Sequence, residues 1–128
     1  MKLHLKFSIF LCLVTFAVRA QQSPDKKADT VVQTIFTTYY AKKFEGRRTT
    51  SGERYRAKKY TAAHLSLPFG TIVQVKNLRT GKTVAVRIND RGPFSKKFSL
   101  DLSQIAAKDL GIYRLGYARV EITYIKPR

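Results

Sequence analysis

Apolar and polar residues alternate with a period of two over several short stretches of this chain, and that pattern predicts a mainly β protein. Gln33 to Ala41 is rich in Thr, Ile, Phe and Tyr, as a strand requires. Thr71 to Leu78 alternates around Val73 and Val75, Arg79-Thr80-Gly81 makes a turn, and Lys82 to Asn89 sets Val84, Val86 and Ile88 on one face. These two segments predict a hairpin with a glycine turn. A last strand is expected from Tyr117 to Lys126, with Ala118, Val120, Ile122 and Tyr124 on a common face. The period changes once. Leu102, Ile105, Ala106 and Leu110 recur at helical spacing, with Asp101 placed to cap the helix and Gly111 to stop it. Many short strands and one short helix suggest a small barrel.

The ends of the pattern divide the chain. Lys2 and Lys6 precede an apolar run from Phe7 to Val18, and Val18-Arg19-Ala20 supplies small residues at the −3 and −1 positions of a cleavage site. Residues 1–20 therefore read as a signal peptide. The run falls short of the roughly 20 residues that span a bilayer. The expected product is an exported chain of the periplasm or cell envelope without a transmembrane segment. Cys12 lies inside the apolar run rather than at its end, so a lipid anchor is not expected. Residues 21–31 are polar and read as a disordered tether, and residues 32–128 as the domain. Phe44 to Ala63 is a long basic loop within it, of a length that is unusual without a function.

Charge changes the picture of the partner. The whole chain is +17, and the part after Ala20 keeps 22 Lys and Arg against 8 Asp and Glu, a net +14. Such a field attracts polyanions. For an exported chain these are wall carboxylates, anionic glycans or lipid head groups, and nucleic acid is not an expected partner. After Ala20 no cysteine remains and His64 is the sole histidine, which removes disulfides, thiolate metal sites and histidine clusters. No cofactor or metal is implied.

Few residues are left for chemistry. Asp25 and Asp29 lie in the tether, Asp109 near a helix end, Glu121 on an outward strand position, and Glu45 among arginines. Asp101 reads first as a helix cap. That leaves Glu53 and Asp90. Asp90 sits where a buried-type strand runs into Arg91-Gly92-Pro93, a place that suits a turn-forming aspartate as well as a catalytic one. Burial against Phe94 would raise its pKa, whereas Arg87 and Arg91 would hold it ionised. His64 reads equally as a structural histidine. Tyr39, Tyr40, Tyr55 and Tyr60 suit either sugar stacking or packing.

Seven blocks then occur in order: Thr38-Tyr39-Tyr40, Phe44-Glu45-Gly46-Arg47-Arg48-Thr49, Ser51-Gly52-Glu53, Thr61-Ala62-Ala63-His64, Leu67-Pro68-Phe69-Gly70-Thr71, Val86 to Phe94, and Asp101-Leu102-Ser103. Together they resemble the rare lipoprotein A (RlpA) family of septal-ring lytic transglycosylases, over almost all of Ile35 to Ile125. The resemblance implies a six-stranded double-psi β-barrel and cleavage of peptidoglycan glycan strands, preferably denuded ones, to 1,6-anhydromuramic ends. It implies Asp90 as the catalytic acid, with Glu53 and His64 as its catalytic companions, and Arg91, Asn89, Tyr39 and Tyr40 as substrate-binding positions. The muramic C6 hydroxyl replaces water as nucleophile in that reaction, so one carboxylate can serve as acid and then base, and Asp90 is expected to be that lone group. Cell-division or wall-remodelling proteins are the implied partners. The chain departs from many relatives at Ala41, where they carry glycine, and at the basic Arg56-Ala57-Lys58-Lys59. The competing expectation is a non-catalytic glycan-binding or wall-loosening module of the expansin kind, since a fold alone does not decide function.

Overall fold

A computed structural model of the chain describes residues 29–128; the signal-peptide reading and residues 21–28 of the tether lie outside the described residues. Six strands close into a barrel in the order β1-β5-β2-β4-β3-β6. They are β1 (Thr30–Tyr39), β2 (Thr61–Ala63), β3 (Ile72–Asn77), β4 (Thr83–Asp90), β5 (Leu100–Leu102) and β6 (Ala118–Ile125), with the helix α1 (Gln104–Leu110) between β5 and β6. The mainly β expectation with one short helix holds. The domain begins slightly earlier than its composition indicates, because Thr30 and Val31 already pair with Ile125 and Tyr124 of β6.

The long strands follow the alternation. In β3 and β4, Val73, Val75, Val84, Val86 and Ile88 turn inward, and Val120 and Ile122 of β6 meet them, all buried. Each such side chain stabilises the fold by about 1.5–3 kcal/mol relative to exposure. The β3–β4 hairpin has Val73 opposite Val86 and Val75 opposite Val84. Buried Asn77 fastens its turn to the helix: its Nδ2 donates to the Leu110 carbonyl (3.0 Å) and its Oδ1 accepts from the Arg79 N–H (3.0 Å).

The remaining strands are different in kind. β2 and β5 have three residues each and fill the gap between β1 and β4. β2 runs parallel to β4 and antiparallel to β5, while β5 runs parallel to β1. Neither was expected from the sequence, since three residues cannot show a period. β5 also corrects the helix start. Leu102 and Asp101 belong to this strand, Ser103 takes the N-cap position, and α1 starts at Gln104. Gly111 ends the helix in the left-handed conformation (φ 79°), as expected of a C-terminal glycine.

Candidate active site

Three strands converge on one residue. Ala63 at the end of β2 pairs with Asp90 on one side and Asp101 on the other. The two aspartates therefore flank β2 at the same level of the barrel, although eleven positions of sequence separate them. Above them, the basic loop is an ordered hairpin rather than an irregular segment. Gly46 N–H donates to Tyr55 O (2.9 Å), Tyr55 N–H to Arg47 O (2.7 Å) and Thr49 N–H to Glu53 O (2.7 Å), with Arg48 bridged to Arg54. A cleft of about 440 Å³ opens between hairpin and barrel. Buried Tyr40 and Tyr55, Asp90 and Asp101 line it, with exposed Arg47, Arg48 and Phe94.

Asp90 is surrounded by donors. Its Oδ1 accepts from the Thr50 N–H at the hairpin tip (2.9 Å) and from the Arg91 N–H (2.8 Å), and its Oδ2 accepts from the Tyr40 hydroxyl. Burial pushes the carboxyl up, but these donors outweigh it and hold Asp90 below its ordinary value. Arg87 plays no part in this. Tyr40 is pushed well above the ordinary phenol range, first by burial and then by Asp90, so it stays a neutral donor. Its ring stacks on Tyr55 with centroids 4.3 Å apart and meets Phe44 edge-on.

Asp101 is the opposite case. Its Oδ1 is buried with no hydrogen-bond partner among the described residues. Burial first, and the nearby charge of Asp90 second, push its carboxyl up to about 7. The helix-cap expectation for Asp101 is thus wrong: the residue faces the cleft from a strand. The Leu100-Asp101-Leu102 alternation was a signal for this, though too short to stand alone.

The other expected residues separate into two groups. Tyr40 and Arg91 join Asp90 at the cleft. Arg91 is itself clamped, donating to the carbonyls of His64 (3.2 Å) and Leu67 (2.8 Å) with its guanidinium 4.0 Å from the Phe69 ring centre. Glu53 lies outside the cleft lining, gripped by the Arg87 fork (2.7 and 2.7 Å) and by Asn89 Nδ2 (3.3 Å). The hydrogen bond from Arg87, then that from Asn89, lowers its pKa to about 2, which keeps Glu53 an anion at neutral pH. His64 accepts at Nδ1 from the Ser66 and Leu67 N–H groups (3.1 Å each), and its own N–H donates to the Asp90 carbonyl. Burial, then Arg91, lowers its pKa, so the ring is neutral at neutral pH.

Two of the expected substrate-binding residues lie off the cleft lining. Asn89 is buried and donates to Glu53, at the register shift that sets Ala62 against Ile88 and Ala63 against Asp90. Tyr39 stacks on Tyr113 and donates to the Tyr113 carbonyl (2.7 Å), one residue out of phase with Tyr40 and hence on the core side. Sequence reasoning missed Thr50 and underweighted Tyr55, whose roles depend on how the hairpin folds back. A second hollow of about 650 Å³ offers one acid, Glu45, which is occupied by the Ala57 N–H and Arg56.

The fold and cleft define a closed mixed barrel with a pair of unlike carboxyl groups beneath a basic, aromatic hairpin. The chain belongs to the lytic transglycolase family, which residues 32–122 match. It is 46% identical over 99 residues to a probable endolytic peptidoglycan transglycosylase RlpA of Treponema pallidum, covering 77% of this chain and 31% of that one. It is 42% identical over 111 residues to the endolytic peptidoglycan transglycosylase RlpA of Haemophilus influenzae, covering 84% and 39%. The chain thus spans less than half the length of these relatives. Among solved structures, it resembles a Streptomyces papain inhibitor (TM-score 0.61, 22% identity, 75% of this chain and 96% of that one). It also resembles a Clavibacter michiganensis expansin solved with cellohexaose (TM-score 0.60, 19% identity, 77% and 52%). These likenesses show the double-psi β-barrel fold and nothing of activity.

Proposed function

We propose that this domain is an endolytic peptidoglycan lytic transglycosylase, acting on glycan strands in the cell envelope and leaving 1,6-anhydromuramic ends. The observation that carries the reading is Asp90: a carboxylate held ionised by three donors in an open cleft, beside aromatic and cationic side chains that suit an anionic glycan. An ionised Asp90 is poised to take the proton of the muramic C6 hydroxyl as that oxygen attacks C1. This narrows the expectation of a lone acid/base, which would have to begin the cycle protonated. Glu53 and His64 serve the site indirectly. Glu53 ties the hairpin to Arg87, and with it the Thr50 N–H, while His64 fixes the backbone at Asp90. Arg91 shapes the cleft wall, and Tyr40 orients Asp90. Division or wall-remodelling proteins are the partners that such an activity would need for placement.

The test is digestion of denuded peptidoglycan glycan strands followed by mass spectrometry. Products with anhydromuramic ends are expected. Binding without products would overturn the enzyme reading in favour of a non-catalytic glycan-binding module, and hydrolytic reducing ends would overturn the transglycosylase chemistry.

A further inference from the structure

If Asp90 begins as a base, the departing sugar oxygen must be protonated by another group. We propose that Asp101 is that proton donor, so that the site divides acid and base between the two aspartates facing each other across β2. The assignment rests on the glycan-cleaving reading above and deepens it. Three observations support it. Asp101 lines the same cleft as Asp90 and shares its Ala63 neighbour. Its Oδ1 is buried without a donor, so nothing stabilises a charge there, in contrast to the three donors on Asp90. The ionisable groups coupled to it are Asp90 at the end of β4, Tyr40 after β1 and Tyr55 in the hairpin, while Arg47, Arg48 and Arg91 of the same cleft make no salt bridge to it. A buried carboxyl beside an anion, with no cation paired to it, keeps its proton more firmly than a free one. Unlike environments for two nearby carboxyl groups are the pattern that assigns acid and base roles.

The step balances. The Asp101 carboxylic acid gives its proton to the glycosidic oxygen as the C1–O bond of the muramic residue breaks and its electron pair goes to that oxygen. The muramic O6 forms the new bond to C1, and its proton passes to the Asp90 carboxylate. Exchange with solvent then returns the proton from Asp90 and reloads Asp101.

Leaving-group dependence tests this. On glycan strands, Asp101→Asn is expected to lose about 10²- to 10⁴-fold in rate. On a muramyl oligomer whose reducing-end carbon carries 4-nitrophenol, which leaves without a proton, the same variant should stay near the wild-type rate. Asp90→Asn should lose on both, since both substrates need the C6 hydroxyl deprotonated. In the wild type, activity on glycan should fall as pH rises through about 7, where Asp101 loses its proton, and that fall should be absent with the nitrophenyl substrate. Equal losses of Asp101→Asn on both substrates, or wild-type rates on glycan, would overturn the assignment and leave the transglycosylase reading standing. A wild-type protein that releases no anhydromuramic product would overturn both. Carboxyl ¹³C NMR of the wild type keeps the test independent of how the variant folds. Asp101 should titrate above the other carboxyl groups, and titration in the ordinary aspartate range overturns the proposal.

Discussion

One side of the barrel is made of long strands and the other of short ones, and the two sides do different work. β3, β4 and β6 run for six to eight residues, alternate inward and outward, and supply about half of the apolar core. β2 and β5 have three residues each, and all three residues of β2 are buried. Their Ala62, Leu100 and Leu102 are buried in the shared core, and they also position both aspartates, one in β5 and one at the end of β4 where it meets β2. The long-strand wall thus serves packing, while the candidate site lies at the seam with the short-strand wall. Such a separation lets a polar, partly unsatisfied site persist without weakening the core around it.

The comparison makes its boldest prediction at Asp90. Asp90→Asn should reduce glycan cleavage by about 10³-fold, with a melting temperature close to wild type; product release and a thermal melt check both halves. Collapse of the fold would show that the seam is structural. The converse holds on the long-strand wall. Ile122→Ala removes a fully buried side chain and should cost about 2–5 kcal/mol in denaturant unfolding, while the specific activity of the folded fraction is unchanged.

Asp101 gives a smaller, pH-dependent effect. Its folded-state pKa is raised to about 7 from an ordinary 3.8, so the folded protein binds a proton that the unfolded chain releases. Wild-type stability therefore includes a contribution that is complete below pH 4 and is lost as pH rises toward 7. Asp101→Asn escapes that loss. It should match the wild type at low pH and exceed it at pH 8 by an amount on the order of 2 kcal/mol; urea titrations at both pH values check this. A variant less stable at pH 8 would mean that the carboxylate is held by something other than its buried surroundings. The smallest effect falls on Glu53, an exposed ion-pair partner. Glu53→Gln should change stability by less than about 1 kcal/mol and slow cleavage roughly tenfold or less, a loosened hairpin being a positioning defect. A loss as large as that of Asp90→Asn would place Glu53 in the chemistry itself.

The same two walls explain what could be seen in the sequence. The β3–β4 hairpin, β6 and the stop at Gly111 were legible because each rests on several residues of period or a local conformational need. β2 and β5 were not, since burial from both sides leaves no alternation in three residues. The error at Asp101 has that cause: with β5 unseen, the helix could be extended back to Leu102, and an acid before a helix reads as a cap. Asp90 was legible as a candidate through its strand and turn, but its charge state was not. The expectation set the Arg87 and Arg91 side chains against burial, whereas the deciding groups are the adjacent Arg91 backbone N–H and, brought from distant parts of the chain, the Thr50 N–H and the Tyr40 hydroxyl. Tyr39 and Asn89 lie off the cleft for simpler reasons. Tyr39 is next to a cleft residue in extended backbone, where neighbours point opposite ways, and Asn89 falls at a register shift that alternation does not foresee.

The shared pairing of Ala63 has a consequence for the order of events in folding. Asp90 meets Asp101 only after β2 has been laid between β4 and β5, and β5 is held in turn along β1, whose Tyr39 pairs with Leu102. All of these contacts join distant parts of the chain, the kind that form slowly and late. The pair lies only eleven positions apart in sequence, yet placing it on either side of Ala63 needs β2, β4 and β5 together. The two carboxyl groups are therefore expected to come together only as the barrel closes.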